Sequence, residues 1–69
     1  MHRILLIDDH AIVREGFRRL LEEADGFEVV AEAGTPTEAL AAARRHSPAL
    51  ALVDLSLGTE SSGLVLLML

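Results

Sequence analysis

"ALALVDLSLG", Ala49 to Gly58, sets five consecutive apolar residues directly before one carboxylate, Asp54. The same arrangement stands near the start, where "RILLIDD" runs from Arg3 into Asp8 and Asp9. An unbroken apolar run of this length suits a strand covered on both faces, as in a parallel sheet. Two such strands ending on bare carboxylates pose one question: what do the acids do there?

The stretches between them are helical. After Asp9 or His10, the residues Ile12, Val13, Phe17, Leu20, Leu21 and Ala24 recur at helical spacing. Arg14, Glu15, Arg18, Arg19, Glu22 and Glu23 take the other face. Asp25-Gly26 stops this helix, with Gly26 suited to a left-handed C′ position. "FEVVAEA", Phe27 to Ala33, partly alternates, with Phe27, Val29, Ala31 and Ala33 on one side and Glu28, Val30 and Glu32 on the other. That pattern predicts an edge strand with one wetter face. "TPTE" then reads as a capping box, with Thr35 as cap, Pro36 at N1 and Glu38 at N3. The helix it opens ends on Arg44, Arg45 and His46, which suit the negative end of the helix dipole, before Ser47-Pro48. Ala49 to Val53 is the third strand, Leu55 to Gly63 a polar loop, and a further helix is expected from Leu64.

Strands alternating with helices of this length imply βαβ units and a parallel sheet. Right-handed crossovers covering both faces give a doubly wound α/β sheet of strand order 2-1-3. The first and third strands are then neighbours, and the winding reverses between them. Asp8, Asp9 and Asp54 therefore meet at the C-terminal switch point, where open α/β sheets bind ligands. Clustered carboxylates repel one another unless a cation sits among them. Oxygen ligands that leave room for water suit Mg²⁺. A carboxylate beside such an ion can attack a phosphoryl group and become an acyl phosphate. Patterning also allows plainer roles: Asp9 as a helix cap, Asp8 as a solvated strand end, Asp54 as a brace for its loop.

Composition narrows the field. The chain has 69 residues, 51% of them apolar, a formal net charge of −5 and no cysteine. It is too apolar for a disordered segment, has no thiols for disulfides or metal, and lacks the basic face that nucleic-acid binding requires. Ile4 to Ile7 is too short for a secretory signal core, and Leu64 to Leu69 is too short to span a bilayer. A cytoplasmic location with no membrane contact is expected.

The stretches "ILLIDDHAIVREGFRRLLE", "VVAEAGTPTEAL" and "ALALVDLSLG" resemble the receiver domain of bacterial response regulators. "DDHAIVREGFRRLLE" with "VVAEA" is most similar to the LuxR/NarL subfamily, which carries a C-terminal helix-turn-helix domain. The likeness runs from about Arg3 to Leu67. It implies a flavodoxin-like sheet, of which residues 1–69 are the N-terminal part as far as the start of the third helix. It implies that Asp54 is the phosphoacceptor, and that Asp8, Asp9, Asp54 and the backbone carbonyl of Ser56 hold Mg²⁺. The donor would be a phosphohistidine of a sensor histidine kinase docking near the first helix, and the output control of transcription. The segment would be a signalling phosphoacceptor, not a classical enzyme, with DNA bound only through a C-terminal domain outside this chain. His10 is read as an exposed residue at the helix start, able at most to touch the pocket or the kinase.

The departures bear on function. The Ser/Thr and Lys that contact the phosphoryl group from the family's fourth and fifth strands are missing, as is its switch aromatic. Gly58 replaces the usual Pro, and the loop "GTESSG" is about one residue longer than usual. "GLVLLML" is more apolar than the family's third helix. With the open side of the third strand unpaired, a homodimer or swapped assembly is expected. Two alternatives stand beside phosphoacceptance. One is a pseudo-receiver that only dimerises or binds partners. The other is a carboxylate-dependent phosphatase, which would want an Asp where Ser56 stands.

Overall fold

The computed structural model describes residues 1–54 and 64–69. The elements run β1 (His2–Ile7), α1 (Ala11–Glu23), β2 (Phe27–Ala33), α2 (Pro36–His46), β3 (Leu50–Asp54) and β4 (Leu64–Met68). They build a four-stranded sheet of order β2-β1-β3-β4. β1 pairs in parallel with both β2 and β3, so the 2-1-3 order stands and β2 is at one edge.

β1 is apolar on both faces because both are covered. Ile4, Leu5 and Leu6 are each 1% exposed. Leu5 joins Ala33 and Ala51 in a core against which Ile7, Val53 and three alanines of α2, Ala39, Ala42 and Ala43, are packed. Small residues on that helix let it lie close on the sheet. Complete burial of one Leu is worth about 1.5–3 kcal/mol, so β1 carries much of the stability.

The cap of α2 forms as its sequence predicts, with one difference. The Glu38 amide donates to Thr35 Oγ1 at 3.1 Å. The Glu38 carboxylate accepts from the Gly34 amide at 3.0 Å, one residue ahead of the cap. At the far end Ser47 turns into the left-handed region, with φ of 47°. At the end of α1 the cap residue is Ala24, and Gly26 takes a positive φ of 94° two residues beyond it, one position later than expected.

Four expectations are corrected. First, Leu64–Met68 is a strand, not the start of a helix. It runs antiparallel to β3, pairing Leu66 with Leu52 and Leu64 with Asp54. The edge of β3 offers the same backbone groups an immediate set of partners. Second, the outer side of β3 is consequently paired. The sheet is parallel through β2, β1 and β3, with one antiparallel edge.

Third, β2 does not keep one face. Ile4 pairs with Val29 but Leu5 with Ala31, so Val30 is an extra residue. This bulge reverses the alternation. Phe27 and Val29 share a face with Ile4, while Ala31 and Ala33 share the opposite face with Leu5 and Ile7. Fourth, α1 is turned relative to its expected orientation. Ile12 and Leu20 are exposed, whereas Arg14, Glu15 and Arg18 are half-buried. The cause lies on β2: Glu32 accepts a hydrogen bond from Arg14 Nε at 3.2 Å and forms an ion pair with Arg18 at 3.4 Å, so the arginine side of the helix lies toward the sheet.

Candidate functional site

The sheet register sets the site. Ile7 pairs with Val53, so Asp8 and Asp54 are the next positions on neighbouring strands. Adjacent strands lie about 4.8 Å apart, which brings the two carboxylates to one corner.

Asp8 is held at three points. Its amide donates to the Ala33 carbonyl at 3.0 Å, continuing the β1–β2 ladder past the strand end. Its carbonyl accepts from Arg14 Nη1 at 2.8 Å. Its Oδ1 accepts the His10 amide at 2.7 Å. Asp8 is thus neither solvated nor a plain strand end: it is 1% exposed. Its Oδ2 is buried with no hydrogen-bond partner among the described residues. A buried carboxylate oxygen without a donor is costly, and native structures keep few of them.

Asp9 and His10 stand outside this buried point. His10 Nδ1 lies 2.7 Å from Asp9 Oδ1 and 3.6 Å from Asp8 Oδ1. The helix cap is His10, not Asp9, and its side chain makes no capping bond. One ligand atom from each of Asp8, Asp9 and His10 falls within 4.8 Å of the others. His10, read from the sequence as an exposed helix-start residue, therefore joins the cluster while half its side chain stays in water.

Asp54 is half-buried at the end of β3. Burial, and then the neighbouring Asp8 carboxylate, push its carboxyl above the ordinary carboxylate range, while His10 pulls the other way. Ser56 lies outside the described residues.

Arg14 is the member that sequence reading missed, having placed it on the solvent face. It ties the carbonyl of Asp8 to Glu32, six residues on in one direction and on another strand in the other. No short-range pattern reveals such a link. Gly34 makes room for it, since a Cβ there would sit 3.0 Å from Arg14 Nη1.

A doubly wound sheet whose switch point gathers Asp8, Asp9 and Asp54 narrows the possible families, and comparison with known sequences selects one. The response regulator receiver domain matches residues 4–69. The chain belongs to the response regulator receiver family. Among its relatives, the nitrate/nitrite response regulator protein homolog of Haemophilus influenzae is 42% identical over 55 residues, 80% of this chain and 26% of that protein. The response regulator GacA of Pseudomonas viridiflava is 40% identical over 57 residues, 83% of this chain and 27% of its own length. The oxygen regulatory protein NreC of Staphylococcus carnosus is 40% identical over 63 residues, 91% of this chain and 29% of its own length. The chain thus spans little more than a quarter of these relatives. No solved structure gives a significant match.

As a receiver segment the chain is a signalling unit of two-component systems, with a putative transcriptional regulator of Pseudomonas aeruginosa among its relatives. Receivers hold Mg²⁺ at an acidic cluster. The residues here fit such an ion: Asp8 Oδ2 is buried with no hydrogen-bond partner among the described residues, and two further carboxylates stand beside it. None of the described helices is long and apolar enough to cross a membrane.

Proposed function

We propose that this chain is the phosphoacceptor segment of a two-component response regulator, with Asp54 as the acceptor. A carboxylate oxygen of Asp54 attacks the phosphorus of a phosphohistidine on a sensor histidine kinase. The O–P bond forms as the N–P bond breaks. The electron pair returns to the imidazole nitrogen, which takes up a proton, and Asp54 becomes an acyl phosphate. Asp8, Asp9, Asp54 and the Ser56 carbonyl would hold Mg²⁺, which supplies neutralisation of the phosphoryl oxygens. The chain's own part is positioning. Asp8 is fixed through Ala33, Arg14 and His10, so its free oxygen is aimed before any ligand arrives.

The observation that carries this reading is a buried Asp8 oxygen, without a partner among the described residues, beside a half-buried Asp54 at the switch point. The parent protein is proposed to be cytoplasmic and to control transcription through a C-terminal DNA-binding domain. The kinase is proposed to dock near α1, whose Ile12, Val13 and Leu20 are exposed.

The deciding experiment is Asp54→Asn. Phosphoryl uptake, read as a mass gain by intact mass spectrometry after incubation with a phosphorylated kinase, should vanish while the circular dichroism spectrum is retained. Uptake by the variant would refute Asp54 as acceptor.

A second reading rests on a different observation. Ile12 and Leu20 on α1, and Leu66 and Met68 on β4, leave apolar surface exposed on two elements. Such surface fits a pseudo-receiver that acts by dimerising or binding partners. It is favoured if the wild-type chain binds no Mg²⁺ yet self-associates.

A further inference from the structure

We propose that His10 Nδ1 is a metal ligand, and that it makes this corner prefer a first-row transition ion over Mg²⁺. The inference rests on the metal-binding reading above and concerns which ion the site selects.

The distances carry it. An octahedral ion with bonds of about 2.1 Å holds adjacent ligands about 3.0 Å apart and opposite ones about 4.2 Å apart. His10 Nδ1 stands 2.7 Å from Asp9 Oδ1 and 3.6 Å from Asp8 Oδ1. These values bracket the adjacent-ligand spacing, and one ligand atom of each of the three residues lies within 4.8 Å of the other two, so side-chain rotation can bring the three donors onto one octahedral face. The nitrogen facing the carboxylates is Nδ1, and the ring is already held on the cluster side of the chain. The His10 amide fixes Asp8 Oδ1 from the same residue, at 2.7 Å.

The second observation is independent of this arrangement. Asp8 Oδ2 is fully buried and lacks a partner among the described residues. A hydrogen bond between His10 and Asp9 does nothing for that oxygen, but a cation at the corner does.

The chemistry then sets the preference. Mg²⁺ takes oxygen ligands and retains water, gaining little from an imidazole. Imidazole suits the later first-row ions, whose affinity rises from Mn²⁺ through Co²⁺ and Ni²⁺. A cluster of carboxylates alone discriminates weakly. A nitrogen donor in it shifts the balance toward those ions.

The plain alternative is that Nδ1–H simply donates to Asp9 in an exposed pair, which is worth little. Two measurements on the whole chain separate the readings. In the first, Co²⁺ and Mg²⁺ affinities are measured by calorimetric titration for the wild type and for His10→Ser. Serine is a favourable residue at a helix cap, so the start of α1 is not weakened, and circular dichroism checks the fold. The Co²⁺ affinity should fall about tenfold or more, while that for Mg²⁺ stays within about twofold. In the second, the Mn²⁺-loaded chain is examined by electron spin-echo modulation. A directly bonded nitrogen should be seen in the wild type and lost in His10→Ser. An unchanged Co²⁺-to-Mg²⁺ ratio overturns the proposal, as does a nitrogen signal absent from the wild type or surviving in the variant.

The two levels fail differently. If neither ion binds the wild type, the metal site is absent and the phosphoacceptor reading falls with it. If Mg²⁺ binds and Asp8→Asn loses it, but His10→Ser leaves Co²⁺ unaffected, only the role of His10 falls.

Discussion

The corner around Asp8 and the outer strand β4 lie on the same sheet and are built on opposite terms. At the corner, one residue is fixed by three separate bonds, from Arg14, from the His10 amide and to the Ala33 carbonyl. Those partners come from α1, from the chain just after β1 and from β2. On β4 the organising contacts are the ladder to β3 and a last bond from Leu69 to Ala49, while Leu66, Met68 and Leu69 stay exposed. The corner is determined several times over, by partners in the next turn of chain, in α1 and on another strand. The outer strand is determined once, by whatever backbone edge is available. Specific geometry, and the chemistry that needs it, belongs to the first kind of region.

A matched pair of substitutions offers the largest test. Leu5→Ala, in the buried centre, should cost about 2–5 kcal/mol, read by urea unfolding. Leu67→Ala, at a side chain 46% exposed, should cost less than about 1 kcal/mol, well below the core range. Equal costs would mean that β4 is as much a part of the core as β1.

Next in size is Arg14→Met. It keeps an aliphatic stem but removes the donor to the Asp8 carbonyl and the pairing with Glu32. The carbonyl is left in a poorly solvated place, so a loss of about 1–3 kcal/mol is expected by the same unfolding measurement. Mg²⁺ affinity should fall as well, because Asp8 loses one of its anchors. Unchanged affinity would show that the corner does not depend on its link to α1.

A smaller contrast should appear in hydrogen exchange. Amides of Ile4 to Ile7 should be protected to the level of global unfolding, whereas those of Leu66 to Met68 should exchange through local opening. Equal protection would erase the difference between the two regions.

The smallest effect is a matter of sign. The Asp54 carboxyl is held above its ordinary range by burial and by Asp8. A carboxyl raised in the folded state binds its proton more tightly there than in the unfolded chain. Its ionisation therefore opposes folding, and stability falls as the pH rises through the raised pKa. Asp54→Asn should stabilise the metal-free chain at neutral pH, and the gain should shrink as the pH is lowered through the carboxylate range. Urea unfolding of both proteins at several pH values checks it. A gain that grows on acidification would mean that the charge at Asp54 is favourable in the fold.

Much of this molecule could be read in advance, and particular residues show why. The continuous apolar runs before Asp8 and Asp54 specified central parallel strands, because a strand covered on both faces has no polar side to show. Thr35, Pro36 and Glu38 specified a helix start, because capping is settled within four residues. Handed crossovers then forced the two strands together, and the meeting of Asp8 with Asp54 followed. What escaped was everything that depends on a competitor elsewhere in space. Val30 looks like any strand residue, yet as a bulge it moves Ala31 and Ala33 to the other face. Arg14 has helical spacing suited to solvent, but Glu32 on β2 claims it. His10 sits beside two acids in any reading; only the turn into α1 brings its ring against them. Leu64 to Met68 are equally content as helix or strand by composition, and the open edge of β3 decides. The sequence by itself determined which segments are regular, where they start and which pair at the centre, since those follow from local propensity, burial pattern and handedness. The tertiary structure alone decided faces, partners and the fate of the last segment, since those depend on which groups, distant along the chain, first satisfy one another.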